Sequence, residues 1–341
     1  MSLLSGISIK STCFALLTGL LVLPSGCKAQ GTYGTRFLSL QKVVKLPGVR
    51  GRIDHLAVDK AHQVVYMAAL GNNTLEVIDL SKGKVIHEIK GLDEPQGVAY
   101  LPQANAVFVA NGGNGVCAFY DANTYKQKAE LDLGEDADNV SYAQGDQTVY
   151  VGYGNGGIAL INAASMKAIG TIRLPGHPEG FEVDSLTKKI WANVPDARVV
   201  AVLDGKNRKA IDAWRINAPL ACFPIAYSSQ DHRLFIGGRR PSRLLVLDSE
   251  TGKKIAEAPC AGDADNLFYD AASKRILISG GSGYVDIFKQ QDTDTYTQIA
   301  HIATRIGART SLWVPEWKEF LLAVPERNGQ PAALLVYKMN D

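Results

Sequence analysis

Apolar and polar residues alternate along this chain in short runs, and the runs return at a fixed interval. One pattern recurs seven times: an apolar residue, a bulky and usually aromatic one, a β-former, then a small residue. It reads VYMA at 65–68, VFVA at 107–110, VYVG at 149–152, IWAN at 190–193, LFIG at 234–237, ILIS at 276–279 and FLLA at 320–323. The second residues are Tyr66, Phe108, Tyr150, Trp191, Phe235, Leu277 and Leu321, at steps of 42, 42, 41, 44, 42 and 44. A first strand precedes each anchor, as in HLAVD, GVAYL, GFEVD and NLFYD. A third follows it, as in LEVID, VCAFYD, IALIN, VAVLD, LLVLD, VDIFK and LLVYK. After a polar turn such as SKGK or ETGK comes a fourth, as in KVIHEIKG and KAIGTIRL. Period-2 strands with Gly and Asx turns, repeated at this length, predict propeller blades. The chain is therefore read as all-β: a seven-bladed β-propeller of four-stranded antiparallel blades.

The seventh repeat reaches Asp341 just after its third strand. The segment Phe37–Leu46 (FLSLQKVVKL), ahead of the first repeat, is strand-like and has no blade of its own. The economical arrangement has this N-terminal strand close the last blade, which removes a free sheet edge. No linker or composition shift interrupts the repeats, so residues 30–341 are read as one domain.

Composition narrows the class. With 341 residues, 46% apolar and 21% charged, the chain is neither disordered nor polytopic. Lys+Arg is 36 against 34 Asp+Glu, a net charge of +2. Such a balance offers no bulk attraction to nucleic acid or anionic lipid, and no nucleic-acid partner is expected. The first 29 residues read as an export signal: Lys10, an apolar run from Cys13 to Leu23, then Pro24-Ser25-Gly26 and small residues up to Ala29. A competing reading makes Cys27 the lipid-modified residue of a lipoprotein, the one membrane attachment the sequence offers. Either way the expected location is periplasmic or secreted, and a monomer is expected. Export permits disulfides, and Cys222 and Cys260 flank one repeat, but a buried free thiol for each is the simpler expectation.

The segments VFVANGGNGVCAFYD (107–121), VYVGYGNGGIALIN (149–162), LLVLDSETGK (244–253) and ARTSLWVPEWKEFLLAVP (308–325) resemble the YncE-like, YVTN-type β-propeller family of exported bacterial proteins. The resemblance covers essentially the whole chain after residue 29. It implies a seven-bladed extracytoplasmic protein and does not supply a substrate. The strict YVTN tetrapeptide is absent, VFVAN and VYVGY being its nearest forms.

Propeller geometry selects candidate residues without any catalytic motif. Loops entering the first strands, and those joining second to third strands, share one face and converge on the central channel. Ligand-binding candidates on that face are Arg52, Asp54, His55, Gln96, Asp138, Asn139, Glu179, Arg239, Asp265, Asn266, Arg309 and Arg327. Asp138-Asn139 (EDADNVSY) and Asp265-Asn266 (GDADNLFY) repeat almost verbatim three blades apart. Asp and Asn at such places also serve as turn caps and bind backbone N–H groups between blades. A divalent cation held by Asp54, Asp138, Glu179 and Asp265 is the ionic alternative, although no contiguous metal motif occurs and no cofactor is expected. Arg239, Arg309 and Arg327 offer donors for an anionic substrate. His177, His232 and His301 receive no role.

Two functions follow. The leading one is a binding or interaction protein that holds a small molecule or an envelope protein at the channel mouth. The other is a lactonase- or lyase-type enzyme at the same mouth, with Asp54, His55, Glu179, Asp265 and Arg309 as its active residues.

Overall fold

The anchor strands explain the architecture. Val65, Tyr66, Met67, Ala68 and Ala69 are almost wholly buried, as are Val107–Ala110 and Ile190–Val194 in later repeats. A strand buried on both faces must sit between two other layers, whereas the fourth strands, such as Lys84–Lys90 and Lys209–Arg215, are largely exposed. The computed structural model, which describes residues 36–340, resolves this into seven four-stranded antiparallel sheets. The predicted signal at 1–29, with Cys27 and Ala29, lies outside the described residues. Among the described residues no helix is long and apolar enough to cross a membrane.

The blades have no private cores. The buried apolar side chains fall into seven clusters, each filled from two neighbouring blades. The anchor aromatics account for much of this packing. Tyr66 stacks on Tyr100 of the next blade at 5.9 Å, Trp191 meets Tyr227 at 4.4 Å, and Phe235 stacks on Tyr269 at 4.9 Å. Such pairs contribute about 0.5–1.5 kcal/mol beyond the area they bury. The repeated anchor is thus a blade-to-blade contact, which is why its spacing marks the fold so clearly.

The last blade closes as the sequence predicts. Leu38–Lys45 pairs antiparallel with Ala333–Met339, in the blade that also holds Ser311–Val314 and Glu319–Val324. Leu38 and Val44 on this strand are fully buried, so the N-terminal strand carries core residues across the junction. Cys117, Cys222 and Cys260 are free thiols. Cys222 packs between blades 4 and 5 and Cys260 between blades 5 and 6, which places the two in different clusters.

Candidate functional site

The inner strands begin at Leu56, Pro95, Val140, Phe181, Leu220, Ala264 and Ser311. The residues at and just before these starts meet around one cavity of about 470 Å³, to which all seven blades contribute. Two glycines allow the blades to close up here. A Cβ on Gly97 would lie 2.0 Å from the Asp138 carbonyl oxygen, and one on Gly180 would lie 2.5 Å from that of Phe223. Each glycine is next to a mouth residue, Gln96 or Glu179, and lets the neighbouring inner strand approach. The chain passes through left-handed backbone just before the strand at Glu94, Asp136, Asp263 and Gly307, and one residue into it at Ala221.

Eleven of the twelve sequence candidates line this cavity: Arg52, Asp54, His55, Gln96, Asp138, Asn139, Glu179, Arg239, Asp265, Asn266 and Arg309. Arg327 does not. It lies in an exposed turn bridged to Gln330, outside the cavity lining. Arg240 is likewise exposed, and Arg243 faces Glu257 at 3.7 Å.

The charged groups form pairs. Arg52 Nη2 lies 2.5 Å from Asp54 Oδ2, and Asp54 is 1% exposed. Arg239 binds the Asp265 carboxylate through Nη2 and donates through Nε to the Ala264 carbonyl at 2.9 Å. Its guanidinium also lies 3.7 Å from the Phe223 ring centroid, a stacked cation–π contact. Arg309 donates to both oxygens of Asp263, at 3.2 and 3.0 Å. Asn266 accepts a bond from the Ser311 backbone N–H at 2.8 Å and so ties blade 6 to blade 7. Among the described residues, no three His, Cys, Asp or Glu side chains assemble into a metal-ligating group.

Blades 3 and 4 differ. Asp138 is 8% exposed, and its Oδ1 is buried without a hydrogen-bond donor among the described residues. His55 Nε2 stands 4.0 Å from that oxygen and 3.5 Å from Asp54 Oδ1. His177 bonds the Gly154 carbonyl through Nδ1 at 2.7 Å, with Asp136 at 3.4 Å and Asp138 at 3.8 Å from its ring nitrogens. Burial alone would lower its pKa, but Asp138, the Gly154 carbonyl and Asp136 outweigh it and raise the imidazole to about 9. Burial, and then repulsion from Asp138, pushes Glu179 up to about 8. Burial does the same for Glu182. Asp54 rises to about 6 through burial, which His55 and Arg52 only partly offset. At neutral pH the mouth therefore holds a cationic His177 and two neutral glutamic acids.

Three lining residues with this chemistry, Asp136, His177 and Glu182, were missed by sequence reasoning. Asp136 and His177 stand two residues before Asp138 and Glu179, as Arg52 stands before Asp54 and Asp263 before Asp265. Extending the period-2 alternation one step upstream of each first strand would have found them. Glu182 lies within a first strand, opposite the anchor Trp191. Alanine holds that position in blades 1, 2 and 5, as Ala57, Ala99 and Ala226, so the glutamate stands out only once the blades are aligned.

No known family model matches the chain. Solved structures do. A chain of the mitotic checkpoint complex superposes with a TM-score of 0.76, covering 98% of this chain and 100% of that one at 16% identity. Hydrazine synthase from Kuenenia stuttgartiensis gives a TM-score of 0.72, covering 86% of this chain and 99% of that one at 14% identity. At such identities the likeness is one of fold, a β-propeller, and function must be argued from the site.

Proposed function

We propose that this protein is an exported β-propeller of the YncE-like, YVTN type that binds a small polar ligand at the channel mouth. The observation that carries the reading is the convergence of polar side chains from all seven blades on one cavity of about 470 Å³. A mouth that served packing alone would have no use for so many ionisable groups. Residues 1–29 act as the export signal in this reading, and the propeller works outside the cytoplasm as a monomer. Lipid on Cys27 would tether it to the envelope.

The test is thermal unfolding of the purified protein against a panel of sugars, lactones, organic acids and amines. A ligand that binds only the folded state raises the melting temperature by mass action. The reading expects a shift that Gln96→Ala or Glu179→Ala removes. A shift that survives both changes, and disappears with Arg240→Ala or Arg243→Ala, would move the site to the outer loops and overturn the reading.

One observation favours a lactonase- or lyase-type activity as the second reading. His177 and Glu179 both retain their protons at neutral pH inside the cavity, as general acids would. Turnover of a lactone that is lost in Glu179→Gln, with the melting temperature unchanged, would establish it.

A further inference from the structure

The charges at the rim of the mouth already have counter-charges in the protein. Arg52 pairs with Asp54, Arg239 with Asp265 and Arg309 with Asp263. His177 stands against Asp136 and Asp138, and His55 against Asp138 and Asp54. An ionic ligand group would have to displace one of these partners, and breaking a largely buried pair is costly. A neutral hydrogen-bonding group requires no such exchange.

Further along the first strands the lining changes. The residue opposite the anchor is Ser141 in blade 3, Glu182 in blade 4, Phe268 in blade 6 and Leu312 in blade 7, and all four line the cavity. Glu182 is the one ionisable group among them. Burial alone raises its carboxyl, so it stands in the wall as a neutral acid. Glu179, near the rim, is neutral as well, and the charged groups around it are Asp138, His177, Asp265, Arg239 and Arg52. A carboxylic acid both donates and accepts a hydrogen bond, and the neutral ligand group that answers it in kind is a hydroxyl. Phe268 and Leu312 add an apolar wall at the same level. Paired charges, neutral acids and an apolar wall together suit a compound rich in hydroxyls with one C–H face.

Building on the reading of the mouth as a ligand site, we infer that it takes an uncharged sugar. The hydroxyls meet Glu179, Glu182 and the paired charges of the rim, and the C–H face of the ring lies on Phe268 and Leu312.

The probes are sets that share one ring and differ in charge: glucose, galactose and mannose, each with its uronate and its hexosamine. Titration calorimetry on the purified protein at pH 6 is expected to give a neutral sugar at least tenfold tighter than the acid and the amine of the same ring. Glu182→Ala is expected to weaken that sugar at least fivefold while the circular dichroism spectrum is kept. Glu182→Gln keeps a neutral donor and acceptor, so it should hold the sugar within about twofold. At pH 9, where Glu182 has lost its proton, binding should weaken more in the wild type than in Glu182→Gln. Should Glu182→Ala fail to fold, this pH comparison decides alone. An acid or amine that binds as tightly as its neutral parent would overturn the inference, and so would an affinity that Glu182→Ala leaves unchanged. A charged compound or a lactone as the one binder in the wider panel, lost in Gln96→Ala, would overturn the sugar while keeping the mouth as a ligand site. Failure of every set to bind overturns the sugar, and if no member of the wider panel shifts the melting temperature, both fall.

Discussion

Asp138-Asn139 and Asp265-Asn266 are the same dipeptide in nearly the same sequence, at equivalent places in blades 3 and 6, yet they do different work. Asp265 is bound by Arg239 from the preceding blade, and Asn266 holds the Ser311 N–H of the following one. Asp138 has no arginine. Among the described residues its Oδ1 lacks a donor, and Asn139 reaches only its neighbour, Asp138 Oδ2, at 3.3 Å. The difference lies in what the preceding blade presents. In a ring, the environment of a residue is set a repeat away in sequence, so nearly identical segments can be paired across a blade junction on one side and left without such partners on the other.

The sharpest way to break the comparison is to make blade 6 resemble blade 3. Arg239→Ala leaves Asp265, whose side chain is 10% exposed, without its guanidinium. Removing one partner of a largely buried pair costs about 3 kcal/mol, and the Phe223 contact goes with it. Chemical denaturation should show a fall of that size. Arg239→Lys keeps the charge but loses the planar fork, so it should fall between the two. A loss below about 0.5 kcal/mol for Arg239→Ala, the range of an ordinary surface change, would mean that the pair does not distinguish the two blades.

The next contrast is in pH. Glu179 and Glu182 titrate near 8 in the folded protein, well above the ordinary glutamate value of 4.5. Through that interval the native state holds protons that the unfolded chain has released, so stability falls as pH rises. His177 acts in the same direction: its contribution is complete below 6.5 and is lost as pH passes about 9. The denaturation midpoint should therefore be lower at pH 9 than at pH 6. The charged groups that act on Glu179 include Asp138, His177, Asp265, Arg239 and Arg52, with Asp138 foremost. Asp138→Asn relieves Glu179 and takes a partner from His177, so it should flatten the pH slope more than Asp265→Asn does. Equal slopes in the two variants would remove the electrostatic distinction between the blades.

The fold was legible because its signal is repeated and local. Each anchor is a buried hydrophobic strand, and seven of them at nearly constant spacing leave little choice of architecture. Even the closing strand Leu38–Lys45 could be inferred, since a blade short of one strand and a strand short of a blade occur in the same chain. The mouth was legible in position but not in chemistry. Knowing that first strands begin at a common rim places Asp138 and Asp265 there. It says nothing of Arg239 reaching one and not the other, because that contact joins residues 26 apart on different blades. His177 and Asp136 went unread because they stand in the loop, one step before the strand pattern begins. Arg327 was read into the mouth from its turn, and the exposed Arg327–Gln330 bridge takes that turn out of the cavity lining.

The smallest contrast concerns the asparagines. Asn266 accepts a backbone N–H across a blade junction at 2.8 Å, and that donor belongs to Ser311, which is 2% exposed. Asn266→Ala strands the donor, at a cost of about 1–2 kcal/mol. Asn139→Ala strands no backbone group, since its one side-chain bond runs to the adjacent carboxylate. Its effect should stay within about 0.5 kcal/mol. The comparison has a second arm. Removing the Asn139 amide takes the one hydrogen-bond donor assigned to Asp138 Oδ2 other than His177, so the His177 ring must carry more of that charge. The imidazole pKa, followed by NMR, should rise in Asn139→Ala and stay put in Asn266→Ala. A stability loss in Asn139→Ala matching that of Asn266→Ala, with no movement of His177, would show that the two dipeptides serve blade packing alike.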